Sequence, residues 1–184
     1  MIHKAGGVAH NILRSTLNRD ASFMIPLYVT HIRPLLDYAS AVWNLGYIGD
    51  LKLLESVQRR WTREISGMVE GVNYYERLKA LNLFSVKGRL LRHDIIMYWK
   101  IFHELSSISR DQVFPSPFMG NTRGHTFKIF HTRSQIEVRR RFFTMRIVNL
   151  WNNLPSDLVL CDSITSFKQL LEDHLGDSLF DFVD

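Results

Sequence analysis

A mainly α-helical fold is the expectation for this chain, on three observations. Apolar residues recur at helical spacing through most of residues 23–105 and again from 143 to 175. Capping residues and helix-stop residues fall where those stripes begin and end. A hydrophobic content of 46% with 22% charged residues is that of a chain with a buried core. The architecture expected is a helical bundle at 1–105, an irregular basic segment at 106–136, and a helical extension with an acidic tail at 137–184 that contributes two C-terminal helices.

The elements follow in order. Tyr28, Ile32, Leu35, Leu36, Ala39, Val42 and Trp43 form a helical stripe over residues 23–43, which Pro34 should kink or divide. Asp50 reads as the N-cap of a helix burying Leu51, Leu54, Val57, Trp61 and Ile65 and ending near Gly67. On its outer face Glu55 and Arg59 stand at i,i+4. "NYYE" at 73–76 has capping-box spacing and opens a short helix through Leu81. Ser85 precedes the longest candidate, with Leu91, Ile95, Tyr98, Phe102 and Leu105 on one face and Leu90, Met97 and Ile101 beside it. Residues 106–136 carry Ser, Pro and Gly punctuation without a period, and "FKIFHTRSQIEV" holds at most short strands. Phe143, Ile147, Leu150 and Trp151 restore helical order until Leu154-Pro155. A last helix from Ser163 or Thr165 should bury Phe167, Leu170, Leu171 and Leu175.

Composition excludes several classes. Cys161 is the single cysteine, so an internal disulfide, a thiolate zinc site and a CxxC redox pair are all excluded. No apolar run approaches the ~18 residues of a membrane span, and "MIHKAGGVAHNILRS" lacks the apolar core of a signal peptide. The expectation is a soluble intracellular chain, nuclear or cytoplasmic, with no membrane partner. Charge is uneven. Residues 123–146 hold seven cations (Arg123, Lys128, Arg133, Arg139, Arg140, Arg141 and Arg146) against Glu137 alone, while residues 172–184 hold five acids and no Lys or Arg. Such a segment suits a polyanion, unless the acidic tail folds back and neutralises it.

Catalytic motifs are missing. The chain has no Asp-Asp pair, GxxxxGK[ST], HExxH, GxSxG or GxGxxG. His93 and Asp94 are adjacent, and neighbours on a helix point apart. His125 and His131 lack a nearby Cys or carboxylate and read as loop residues rather than zinc ligands. Asp37 reads as a helix-surface carboxylate. Catalytic residues, metal ligands and a cofactor are therefore not expected. Trp43, Trp61 and Trp151 lie on apolar stripes and read as core, with Trp99 beside a stripe.

The blocks "LYVTHIRPLLDYASAVWN" (27–44), "LLESVQRRWTREISGM" (53–68), "YYERLKALNLFSVKGRLLRHDIIMYWKIFH" (74–103), "RGH" (123–125), "RRFFTMRIVNLWNNLP" (140–155) and "SFKQLL" (166–171) occur in one order. Together they resemble the region after the catalytic palm in reverse transcriptases of non-LTR retrotransposons of the jockey and chicken-repeat type. The resemblance covers residues 26–175. It implies the thumb and C-terminal extension of an RNA-directed DNA polymerase, holding template and primer, either RNA or DNA, with the palm domain as a further partner. Full-length relatives carry an endonuclease and a palm with paired catalytic aspartates. Neither is here, so Met1 would correspond to an internal position of a longer polyprotein, and the chain to a truncated element copy or a reading frame derived from one.

The nucleic-acid contacts expected are the seven cations of residues 123–146 and, from a thumb-like helix, Arg59, Arg60 and Arg63. The latter three would equally form a solvated face paired with Glu55 and Glu64. Three consecutive arginines cannot all pair with Glu137. If they form the first turn of a helix they oppose its dipole by a few tenths of a kcal/mol each, which hints at an external anion. The competing expectation is a helical protein-interaction module that docks the palm without binding nucleic acid itself. With no paired carboxylates to position two metal ions, the purified chain should give no primer extension with any divalent cation. Template-dependent incorporation that a substitution in this chain abolishes would refute that expectation.

Overall fold

The structure, a computed structural model, describes residues 1–67, 71–114, 127–130 and 133–182. These residues are mainly α-helical and hold no strand. In order the helices are α1 (Ile2–Ser15), α2 (Ala21–Leu27), α3 (Arg33–Asp37), α4 (Ser40–Trp43), α5 (Ile48–Arg63), α6 (Tyr74–Ala80), α7 (Val86–Phe102), α8 (Arg110–Val113), α9 (Glu137–Arg140), α10 (Phe143–Asn152), α11 (Ser156–Val159) and α12 (Ile164–Leu175). No described helix is long and apolar enough to cross a membrane.

The chain divides into two compact units that do not coincide with the expected segments 1–105, 106–136 and 137–184. The first comprises Met1–Ala39, Gly46–Arg89 and the residues from Asp177; the second comprises Ser40–Leu45 and Leu90–Gly176. The boundary falls inside α7, because that helix carries buried side chains for both.

In the first unit α1 packs on α3 and α5. Sequence periodicity does not reveal α1, since Gly6 and Gly7 in its middle each cost about 1 kcal/mol relative to Ala. Buried Ala5 and Ala9 allow a close approach there. The stripe at 23–43 is broken as Pro34 requires. A π-helical turn, Tyr28–Ile32, ends at Arg33, whose N–H reaches back to Tyr28, and α3 follows with Pro34 in its first turn. Ala39 then adopts a left-handed φ of 53° and separates α4. Asp50 is not the N-cap of α5. Tyr47 is, and Asp50 lies in the first turn, where its charge still complements the dipole. The capping box of α6 forms as its spacing predicts, Glu76 N–H donating to Asn73 Oδ1 at 2.8 Å and Asn73 N–H to Glu76 Oε2 at 3.2 Å.

A buried polar network occupies the middle of this unit. Arg89 is 2% exposed. It donates to Asp37 through Nε (3.2 Å) and Nη2 (3.3 Å), to the Phe84 carbonyl (3.0 Å) and to Gln58 Oε1. Tyr28 OH also donates to Gln58 Oε1, at 2.6 Å, and burial pushes its pKa up to about 12. Asp37 is thus an internal counter-ion rather than a surface carboxylate. Glu55, 1% exposed, is likewise not on an outer face. It accepts from Val86 N–H at 2.9 Å and from Tyr74 OH, while burial raises its pKa.

The second unit is built on aromatic rings. Tyr98 meets Trp151 (4.5 Å between centroids) and Phe114 (5.0 Å) edge-on, and Trp99 stacks on Phe167 at 5.2 Å. Trp99 and Trp151, like Trp61 in the first unit, are buried. Ser163 caps α12 by accepting from Ser166 N–H at 3.4 Å. Leu105 and Leu170 are exposed, against expectation: α7 ends before Leu105, and α12 buries Phe167 and Leu171, with Ile164 and Leu175 partly buried against the same core.

The C-terminal residues return to the first unit. Ser85 caps α7 by accepting from Gly88 N–H at 2.9 Å, and its own N–H and hydroxyl reach the Leu179 carbonyl at 2.9 and 3.1 Å. The tail backbone passes so close that a Cβ on Gly88 would lie 2.2 Å from Leu179 O. Gly88→Ala should therefore cost about 1–3 kcal/mol and release the tail to proteolysis. Gly7→Ala, with nothing within 4 Å, should stabilise by up to about 1 kcal/mol. Urea unfolding of both variants checks the pair of signs.

Candidate nucleic-acid interface

Before α9 the basic segment is tied down at Phe127 and Ile129. Trp151 Nε1 donates to the Phe127 carbonyl at 2.8 Å. The Asn152 side chain takes both backbone groups of Ile129, accepting its N–H at 2.8 Å and donating to its carbonyl at 2.9 Å. An amide carries one acceptor and a donor pair, so Asn152 satisfies the backbone that a neighbouring strand otherwise would. Ile129 is buried, while Phe130 is half exposed (50%). Lys128 is half-buried. Arg123, His125 and His131 lie outside the described residues.

The three arginines do not open a helix. They end one. α9 stops at Arg140, Arg141 is its C-cap, and Phe142 caps the separate helix α10. Arg139 and Arg140 therefore occupy a last turn, where cations complement the dipole. The unfavourable placement expected from sequence is absent, and with it that hint of an external anion. Glu137 takes two of the three, Arg140 Nη2 at 2.5 Å and Arg141 Nε at 2.7 Å. The Arg141 bond, then the Arg140 charge, hold the Glu137 carboxyl below its usual range. Arg139 is exposed and has no ion pair among the described residues.

Arg146 corrects the sequence expectation most sharply. Its Nε and Nη2 clasp Asp94 at 2.6 and 2.9 Å; Nη1 donates to the carbonyls of Asn44 and Arg141, and Nη2 to that of Ala41. A guanidinium has five N–H donors, and all five are used. Burial lifts the Asp94 carboxyl above its ordinary range, against the pull of Arg146. This cation holds the fold. It is not free to grip a phosphate. A sequence signal existed: Asp94 falls in register with buried Leu90, Tyr98 and Ile101 on α7, and a carboxylate on such a face needs a cation.

Arg59, Arg60 and Arg63 belong to the first unit. Arg59 is half-buried with its guanidinium 4.6 Å from the centre of the Tyr74 ring, while Arg60 and Arg63 are exposed in the last turn of α5. Glu55 is committed inward, to Val86 N–H and the Tyr74 hydroxyl. Of the tail acids, Glu172 holds Arg92 at 2.6 Å and Asp177 holds Lys79 at 2.7 Å.

Of the residues named from sequence, Arg133, Arg139 and Arg140 are exposed on the second unit, which also exposes Phe130 and Phe142, the latter 42% exposed. Among the described residues no cluster of His, Cys, Asp and Glu could hold a metal ion. No family model matches the chain, and neither does any curated protein or solved structure.

Arg146→Ala should lower stability by about 3–5 kcal/mol, because it strands a buried carboxylate. With its folded-state pKa raised further, Asp94 then favours folding only while protonated. The loss should be largest at neutral pH and shrink in acid, as urea unfolding at the two pH values would read. A pH-independent loss below 1 kcal/mol would mean the pair is dispensable.

Proposed function

We propose that this chain is a non-catalytic, nucleic-acid-binding piece of a retroelement reverse transcriptase, corresponding to its thumb and C-terminal extension. One observation carries the binding: exposed guanidinium groups at Arg133, Arg139 and Arg140 lie on the same unit as the exposed rings of Phe130 and Phe142, with only Glu137 paired among them. Cations neutralise backbone phosphate and rings accept unstacked bases, a combination suited to single-stranded or looped RNA. The all-helical fold is compatible with the thumb that the sequence resembles. Arg60 and Arg63 on α5 are the contacts proposed for the first unit.

A second reading has its own observation. Ile136 (65% exposed) and Val138 (52%) flank the same arginines, as on a surface that docks another protein such as a palm domain. Salt dependence separates the two.

Binding to a single-stranded RNA oligonucleotide should weaken steeply with salt, by roughly 0.7 in log–log slope for each phosphate contact. Replacing Arg133 and Arg139 together by Ala should flatten the slope by about 1.4 and weaken binding to all sequences alike. Both side chains are exposed, so stability should stay within about 0.5 kcal/mol. Affinity that ignores salt and survives the double substitution would favour the docking reading.

A further inference from the structure

Between the 133–135 stretch, α9 and α10 lies a cleft of about 630 Å³ whose wall includes Arg133, Gln135, Arg140, Met145, Arg146 and Asn149. All six belong to the second unit. From their chemistry, and resting on the nucleic-acid reading above, we infer that this cleft receives one unpaired nucleotide of a bound single strand, gripping its phosphate and reading the edge of its base.

The argument starts from which groups are already committed. Arg146 has no N–H left to give, and the Phe143 ring lies 5.8 Å from its guanidinium, so it forms part of the cleft wall and not of the grip. Arg140 is held by Glu137, but both side chains of that pair are about half exposed. A pair so solvated is worth little, and a phosphate can displace the carboxylate. The side chains of Arg133, Gln135 and Asn149 have no hydrogen-bond partner among the described residues, and all three residues are exposed. An arginine is a bidentate phosphate donor. The two amides each present a donor beside an acceptor, the arrangement that pairs with a base edge and that a bare anion cannot use. Met145 adds a polarisable apolar contact. The volume lies within the ~300–1,000 Å³ of clefts that accommodate whole organic ligands.

Asn149 is the position to test, because it stands on the exposed side of α10 away from the buried Ile147, Val148 and Trp151. The whole chain would be titrated calorimetrically with each of the four ribonucleoside 5′-monophosphates and with inorganic phosphate. At least one nucleotide should bind about tenfold more tightly than phosphate, a preference that one or two hydrogen bonds supply. Asn149→Ala and Gln135→Ala should each erode that preference severalfold while leaving phosphate affinity and the circular dichroism spectrum unchanged. Phosphate binding as tightly as every nucleotide would overturn the inference, as would a preference that survives both substitutions. A second arm with RNA oligonucleotides separates this inference from its parent. If Arg139→Ala weakens RNA binding while Asn149→Ala alters neither affinity nor base preference, the cleft falls and the interface stands. If the chain binds no oligonucleotide yet keeps an Asn149-dependent nucleotide affinity, the interface falls and the cleft stands.

Discussion

α7 carries two opposite charges that water barely reaches, Arg89 and Asp94, and much else in the chain is arranged to neutralise them. An ionised group in an apolar interior costs several kcal/mol unless a counter-ion and hydrogen bonds replace its hydration. Five residues apart on one helix, the two do not serve each other. Arg89 is answered by Asp37 at the end of α3 and by Gln58 of α5; Asp94 is answered by Arg146 of α10. Each answer brings distant sequence to a defined place. The Arg146 guanidinium draws in the carbonyls of Ala41 and Asn44, which is a physical reason why residues 40–45 belong with the second unit and not with the helices on either side of them.

This demand for counter-ions reshapes the surface. Seven cations in 24 residues suggest a uniform grip on a polyanion. Only some of them are available. Arg146 is consumed by the interior, Arg140 and Arg141 share Glu137, and the exposed, uncommitted cations of the described segment are Arg133 and Arg139. An interface is better estimated after subtracting the charges that the fold itself requires. Two of the five tail acids are likewise committed within their own units, Glu172 to Arg92 and Asp177 to Lys79.

The break between α9 and α10 shows how a small local change reverses an electrostatic argument. Had residues 139–151 formed one helix, the arginines would sit at its positive end. Because Phe142 begins a new helix, they sit at the negative end of a short one, where they are favourable without any ligand. The break also leaves Phe142 part-exposed beside them, and so supplies the ring that a purely electrostatic surface would lack.

Helical periodicity, capping chemistry and proline placement were enough to read α5, α6, α7, α10 and α12 from residue order, because those signals act within one or two turns of chain. The Asn73–Glu76 box, the stop at Leu154-Pro155 and the interruption before Pro34 are local in this sense. α1 was not legible, since its glycines weaken the local signal and its stability comes from packing Ala5 and Ala9 against other helices. The fate of the charges was the least legible. Asp37, Glu55, Asp94 and Arg146 look in sequence like any surface residue, and each is committed inward by a partner 31 or more residues away. Local spacing determines which segments coil. Only the tertiary structure decides which charges face water, because desolvation depends on what the rest of the chain places around them.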